Sequence, residues 1–231
     1  MTLTRTPEPE VMDTAEEAAD YDAMDHREVN RRFVSDLAEF ISSQTAGSFA
    51  DTRELHVLDI GTGTSLIPLE LLKARQLHIG TIVAADLSME MLRLAIRNVE
   101  SAGESNRILP LYTDAKRLSV ADDSCDVVMS NSIVHHIPEP RSVLTEMKRV
   151  LRPGGILFVR DLMRPPDTDR VEHFVTAYAG QESPRQQQLF RQSLHAALTV
   201  AEMRSLLGSL GLPEFWVRAT SDRHWTIAGR L

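Results

Sequence analysis

The chain has 231 residues, 42% hydrophobic and 25% charged, with eleven glycines and eleven prolines. That mixture suits a globular domain with a sizeable core and excludes collagen-like, coiled-coil and wholly disordered classes. The net charge of −8 is uneven: Glu8, Glu10, Asp13, Glu16, Glu17, Asp20, Asp22, Asp25 and Glu28 face only Arg5 and Arg27 at the start, and the rest is nearly neutral. With no basic footprint, nucleic acid is not an expected partner. Cys125 is the sole cysteine, which excludes an internal disulfide and a multi-cysteine zinc site and points to a reducing compartment, the cytoplasm. No apolar run is long enough to span a bilayer, and the acidic start is unlike a signal peptide.

In chain order, residues 1–14 read as an acidic, disordered leader. Val29, Phe33, Val34, Leu37, Phe40 and Ile41 then recur at helical spacing, predicting an amphipathic helix over 27–44. Residues 54–60 form a short apolar strand running into Gly61-Thr62-Gly63-Thr64. A helix over about 65–75 follows, with Pro68 in its first turn. Residues 80–86 are a second buried strand, and Ser88 caps a helix whose Met91, Leu92, Ala95 and Val99 share one face before Gly103 ends it. Residues 108–112 are strand-like, but Pro110 donates nothing to a ladder, so an edge position is expected. Residues 126–130 make a fourth strand. A helix over 140–151, opened by Pro140 and closed by Arg152-Pro153-Gly154-Gly155, leads to a fifth strand at 156–162. This rhythm predicts an α/β fold with a parallel, doubly wound sheet. Two extra helices, 168–179 and 184–197, interrupt it, and a capping box at Thr199 and Glu202 opens a third. Residues 215–219 and 224–229 then read as an antiparallel pair.

The glycine turn narrows the ligand. Strand, glycine turn and helix together aim backbone N–H groups at a bound group. A phosphate-cradling P-loop needs Gly-Lys-Ser/Thr, whereas Gly63 is followed by Thr64-Ser65-Leu66. A dinucleotide fingerprint needs a third glycine or alanine where Leu66 stands, which disfavours a nicotinamide oxidoreductase. Asp86, 23 residues beyond Gly63, ends the second strand where a carboxylate accepts ribose hydroxyls. Ribose without a pyrophosphate is the ligand this favours.

These residues resemble the motifs of class I S-adenosylmethionine-dependent methyltransferases over most of residues 20–231. Val57 to Thr64 is similar to the first motif, Ala85 to Leu92 to the second, and Thr113-Asp114-Ala115 to the adenine position. Asp126 to Pro138 and Val150 to Gly155 resemble the fourth- and fifth-strand motifs. The Tyr21-Asp-Ala-Met24 entry resembles the small-molecule, ubiquinone/menaquinone-biosynthesis branch. The resemblance implies a Rossmann-like, seven-stranded sheet of order 3-2-1-4-5-7-6 with the last strand antiparallel. It also implies one methyltransferase domain over 15–231, with helical lid elements at about 15–45 and 163–198.

The same resemblance implies that Asp59, Gly61, Thr62 and Gly63 line the methionine moiety of S-adenosyl-L-methionine, that Asp86 holds its ribose, and that Leu87 and Met91 pack on adenine. Asp114 and Ala115 would meet the adenine edge, Asn131 and Ser132 lie at the carboxyl end of the fourth strand, and Tyr21 would close over the cofactor. Turn glycines, ordinary core and a solvated turn aspartate are the plain alternatives. Either His135 or His136 is a candidate general base. Joint metal ligation by the two is not expected, since adjacent residues point apart on most backbones, so no metal is expected. Arg160, Asp161, Tyr178, Arg191 and His195 are candidate lid residues facing a substrate, with surface polarity as the alternative. The function implied is in-line methyl transfer to a small-molecule acceptor, leaving S-adenosyl-L-homocysteine. A non-catalytic cofactor-binding protein and a macromolecular methyltransferase are the alternatives; the second is disfavoured because Asn131-Ser-Ile-Val134 stands where an Asn-Pro-Pro-Tyr tetrad would. The acceptor and the oligomeric state are not encoded in these motifs.

Overall fold

A computed structural model describes residues 3–8, 14–24, 26–45 and 54–231. Two helices, α1 (Ala15–Ala23) and α2 (Arg27–Thr45), precede an alternation of β1 (Leu55–Ile60), α3 (Leu66–Leu71), β2 (Ile79–Asp86), α4 (Met89–Ser101), β3 (Ile108–Tyr112) and β4 (Cys125–Asn131). After a 3-10 turn at Val134–His136 come α5 (Pro140–Val150), β5 (Leu151–Leu162), α6 (Thr168–Ala179), α7 (Pro184–Ala196) and α8 (Val200–Ser209). A second 3-10 turn (Glu214–Trp216), β6 (Val217–Ala219) and β7 (His224–Arg230) complete the order. The seven strands form one sheet in the order β3-β2-β1-β4-β5-β7-β6. Parallel pairing of β1 with β2 and β4, and of β2 with β3, contrasts with the antiparallel β6–β7 pair, so the sheet is mixed. Pro110 lies on β3 at the sheet edge, where its missing N–H costs no ladder bond. Among the described residues no helix is long and apolar enough to cross a membrane.

The chain divides into two compact units of interleaved segments. The larger comprises residues 11–131, 144–159 and 228–231. Its core joins Phe33, Val34, Leu37 and Ile41 of α2 to sheet residues such as Val57, Ile82, Ile108, Val127 and Phe158. Phe33 meets Phe158 edge to face at 5.3 Å between centroids, an arrangement that suits the ring quadrupoles. Met91, Leu92, Ala95 and Val99 form the buried face of α4, and Ser88 accepts from the Met91 N–H as its cap. Cys125 is buried here.

The smaller unit comprises residues 1–10, 132–143 and 160–227. Helices α6 and α7 contribute Val171, Phe174, Val175 and Leu194 to a core of their own, with Leu162 and Ala197. Capping boxes at Ser183 and Thr199 fix the starts of α7 and α8.

Two expectations are corrected. Arg152-Pro153-Gly154-Gly155 do not separate the helix from the fifth strand: α5 ends at Val150 and Leu151 begins a twelve-residue β5 that runs through them, with Gly154 at a φ of 77°. Residues 3–8 are not a loose tail. Leu3 packs on the small core and donates its N–H to Pro166, and the Thr6 N–H reaches the His195 carbonyl. The Arg5 guanidinium donates to the carbonyls of Ala196 (2.7 Å), Pro138 (3.0 Å), His135 (3.2 Å) and Ile137 (2.8 Å). Net charge gave the leader its solvated look, but Leu3 and Arg5 have partners more than a hundred residues away, which composition does not register. The rest of the expected leader, residues 1, 2 and 9–13, lies outside the described residues. Arg5→Ala strands several half-buried carbonyls, so it should destabilise the protein by about 1–3 kcal/mol in denaturant unfolding. An unchanged midpoint would mean the segment is not held by this side chain.

Candidate functional site

In the larger unit the β1–α3 turn forms a cradle. Gly61 and Gly63 take φ values of 72° and 55°, left-handed conformations that a side chain resists. The N–H groups of Gly61 and Thr62 donate to the Ala85 carbonyl at 2.8 and 3.0 Å, pinning the turn to the end of β2. Asp86 clamps the rest: Oδ2 accepts from Gly63 N–H and Oδ1 from Ser88 N–H, both at 2.8 Å. Burial raises the Asp86 carboxyl above its usual range, and the Ser88, Gly63 and Leu87 amides pull against that rise. A carboxylate offers about four acceptor sites, so these amides leave Asp86 with acceptor capacity for a ligand hydroxyl.

Asp59, at 2% exposure, lies at the end of β1 beside this turn. Its Oδ2 is buried and, among the described residues, accepts no hydrogen bond. Burial drives its carboxyl up to about 7; a hydrogen bond from Thr62 opposes the rise and the Asp86 charge adds to it. A ring carbon of Tyr21 lies 3.6 Å from where a Cβ on Gly63 would stand, so the ring closes over the glycine turn. Tyr21 also stacks on His26 at 4.5 Å, and burial followed by the charges of Asp59, Asp86 and Asp22 pushes its hydroxyl to about 12. The structure thus brings Tyr21, Asp59, Gly61, Thr62, Gly63 and Asp86 together as the sequence motifs suggest. An orphaned buried carboxylate oxygen beside left-handed glycines fits a ligand carrying an ammonium group and ribose hydroxyls.

The other cofactor candidates divide. Leu87 is half-buried beside Asp86, whereas Met91 belongs to the buried face of α4. Asp114 accepts from the Lys116 N–H at 2.8 Å and pairs with its ammonium at 3.1 Å, the behaviour of a turn aspartate; Ala115 lies in the same turn, half-buried. Asn131 ends β4 half-buried.

In the smaller unit Ser132 takes a φ of 61° and donates its N–H to the Arg160 carbonyl. The 3-10 turn beyond it carries His135, and β5 carries Asp161, both buried. His135 Nδ1 lies 2.5 Å from Asp161 Oδ1, and Asp161 Oδ2 accepts the His135 N–H at 3.1 Å. Burial alone would lower the imidazole, but Asp161 and then Glu8 reverse that and hold it above the usual histidine value. Glu8 Oε1 lies 3.3 Å from His135 Nε2 and 3.1 Å from His136 Nδ1. The expectation that the two imidazoles point apart is therefore overturned: their centroids are 4.2 Å apart, tilted by 33°. A 3-10 turn rotates successive side chains by about 120° rather than the 180° of a strand, so both can reach one atom.

Among the lid candidates, Arg160 Nε donates to Thr226 Oγ1 and Asp161 is taken up by His135. Tyr178 is on the surface, donating to Asp222 with the Arg223 guanidinium over its ring. Arg191 forms a two-pronged pair with Glu172 at 2.6 and 2.8 Å. Arg191 and His195 do share the wall of a cavity of about 290 Å³ with Thr6, Glu8, Gln188 and Gln192. Sequence reasoning missed Arg5 and Glu8. Arg5 is one of two bases in an acidic stretch, which is a signal of a kind; nothing local marks Glu8.

The Asp59 environment predicts a pH effect. Its folded value of about 7 exceeds the ordinary aspartate value of about 3.9. The folded chain therefore keeps a proton that the unfolded chain has released across that window, so stability falls as pH rises through it and levels off above. Thermal unfolding should follow this slope, and Asp59→Asn should flatten it; an equal slope in the variant would contradict the assignment.

Residues 58–159 match the family model of the methyltransferase domain. The chain is 36% identical over 107 residues to methyltransferase GfsG of Streptomyces halstedii, covering 46% of this chain and 37% of that protein. It is 36% identical over 109 residues to a demethylmenaquinone methyltransferase of Mycolicibacterium paratuberculosis, covering 47% and 42%. The chain spans about half or less of the length of such curated relatives. A solved S-adenosylmethionine-dependent methyltransferase of Aquifex aeolicus superposes with a TM-score of 0.62 at 18% identity, covering 94% of this chain and 98% of that one. Residues 58–159 are thus similar to a methyltransferase domain, and the chain shares its Rossmann-like, seven-stranded fold with that solved structure.

Proposed function

We propose that this chain transfers the methyl group of S-adenosyl-L-methionine to a small-molecule acceptor by in-line displacement, releasing S-adenosyl-L-homocysteine. The observation that carries the reading is the cradle: Asp86 clamps Gly63 and Ser88 while Asp59 presents a buried oxygen with no donor. Asp59 would hold the ammonium of the methionine moiety and Asp86 the ribose hydroxyls. Tyr21 would exclude water from the turn, and Asn131 and Ser132, at and just beyond the carboxyl end of β4, would be further cofactor-binding residues. When bound, the cofactor supplies an electrophilic sulfonium methyl. Asp114 would turn from Lys116 toward an adenine amine, with Ala115 beside it and Leu87 and Met91 as apolar backing.

A small acceptor is supported by the near-neutral charge of the chain beyond its leader and by relatives named for quinone biosynthesis. The lone buried cysteine suits a cytoplasmic setting. Neither His135 nor His136 is assigned the base, because both rings already face carboxylates. Alignment then supplies most of the rate.

Calorimetric titration with S-adenosyl-L-methionine and S-adenosyl-L-homocysteine tests the reading, with NADH as control. Both should bind and NADH should not, and Asp86→Ala should weaken both by about tenfold or more, the loss of charge-assisted hydrogen bonds. Unchanged affinity in the variant would remove Asp86 from the site. Binding without transfer of a labelled methyl group to any metabolite in an extract would favour a non-catalytic cofactor-binding protein.

A further inference from the structure

Glu8, His135 and His136 place three potential metal-ligating atoms within 4.8 Å of one another in the smaller unit. Glu8 Oε1 is buried, and although two imidazole nitrogens lie 3.1 and 3.3 Å away, it accepts a hydrogen bond from neither. The contact therefore has the spacing of a close pair without the direction of a hydrogen bond. A tetrahedral zinc ion with bonds of about 2.0–2.1 Å sets its ligands about 3.3 Å apart, which is the spacing of the two Glu8 contacts.

The surroundings carry the other marks of such a site. His135 turns Nδ1 to the buried Asp161, leaving Nε2 for Glu8. A carboxylate behind a ligating histidine fixes its tautomer and orientation. Arg5 braces the turn that carries both imidazoles through the carbonyls of His135, Ile137 and Pro138. Glu8 itself also lines the cavity of about 290 Å³, which gives a hydrated ion a route to the cluster. Ligand identity, spacing, a supporting carboxylate and an entry path are the features a metal site must show.

We propose that Glu8, His135 and His136 form a three-ligand site for a divalent zinc-class cation, with Asp161 as the carboxylate behind His135. Three protein ligands leave the fourth position for water or a ligand oxygen, the composition of reactive rather than purely structural zinc sites. On binding, the ion takes the Nε2 lone pair of His135, the Nδ1 lone pair of His136 and a Glu8 oxygen, and any proton held between them passes to solvent. The ion would also fasten residues 3–8 to the turn at Val134–His136.

The full chain, stripped with chelator, is titrated with zinc chloride and, separately, with cobalt chloride. The expected result is one zinc per chain and an intense visible cobalt spectrum of tetrahedral type. Glu8→Gln and His136→Ala should each weaken zinc binding by at least about tenfold, and Asp161→Asn by about 10–100-fold, with unaltered far-ultraviolet circular dichroism. The proposal is overturned if the chain binds no zinc, if both ligand variants bind it as tightly as the parent, or if cobalt gives only the weak spectrum of six-coordination. Should a variant fail to fold, the cobalt spectrum of the parent chain still decides. No cofactor or acceptor enters the titration, so its failure would leave the methyltransferase reading standing.

Discussion

One carboxylate organises the larger unit. Asp86 ends β2, and its two oxygens accept the N–H groups of Gly63 and Ser88, so the turn after β1 and the start of α4 are fixed by the same residue. A glycine turn is otherwise the loosest kind of backbone, with the largest ordering entropy per residue. The Ala85 carbonyl adds two more bonds to that turn, from Gly61 and Thr62. The cradle is thereby ordered by the protein's own strands, which reduces what a ligand must contribute to order it.

Electrostatics divides the two units sharply. In the larger, Asp59 and Asp86 share a buried neighbourhood with, among the described residues, no cation among their hydrogen-bond partners, and both carboxyls stand above their usual values. In the smaller, Asp161 is equally buried, yet burial is outweighed by His135 and its carboxyl is held low. A buried carboxylate raised by desolvation is poised to gain from a cationic ligand, while one already paired with imidazole is occupied in holding that ring. The first pattern is the one a cationic ligand would relieve, and in the second the carboxylate already has its partner in His135.

Much of the larger unit was legible in the sequence because its signals are local. Apolar runs of strand length, turn glycines, a serine cap and an edge proline each act within a few residues, and they give the succession of strands and the edge place of β3, whereas the full strand order was implied only by the motif resemblance. Asp86 was legible for the same reason, standing at a strand end a fixed distance from the glycines. What escaped has the opposite character. Arg5 and Glu8 draw their meaning from partners on a turn and a helix more than a hundred residues away, and charge counting treated both as solvent-facing. The pairing of His135 with His136 escaped because it depends on a 3-10 turn that no propensity marks. Continuation of β5 through Pro153 and Gly154 likewise overrides residues that normally read as a break.

The central claim is that Asp59 and Asp86 form a preordered site for a ligand carrying both an ammonium group and a ribose. Its most direct test is calorimetric binding of S-adenosyl-L-homocysteine near pH 6 in two buffers of different ionisation heat. With the Asp59 carboxyl at about 7 in the unliganded protein, the group is mostly protonated there, and pairing with the ligand ammonium forces it to ionise. The account predicts release of close to one proton per molecule bound, diminishing as pH rises above that value. Binding with no proton released, and no change when Asp59 is replaced by Asn, would contradict it.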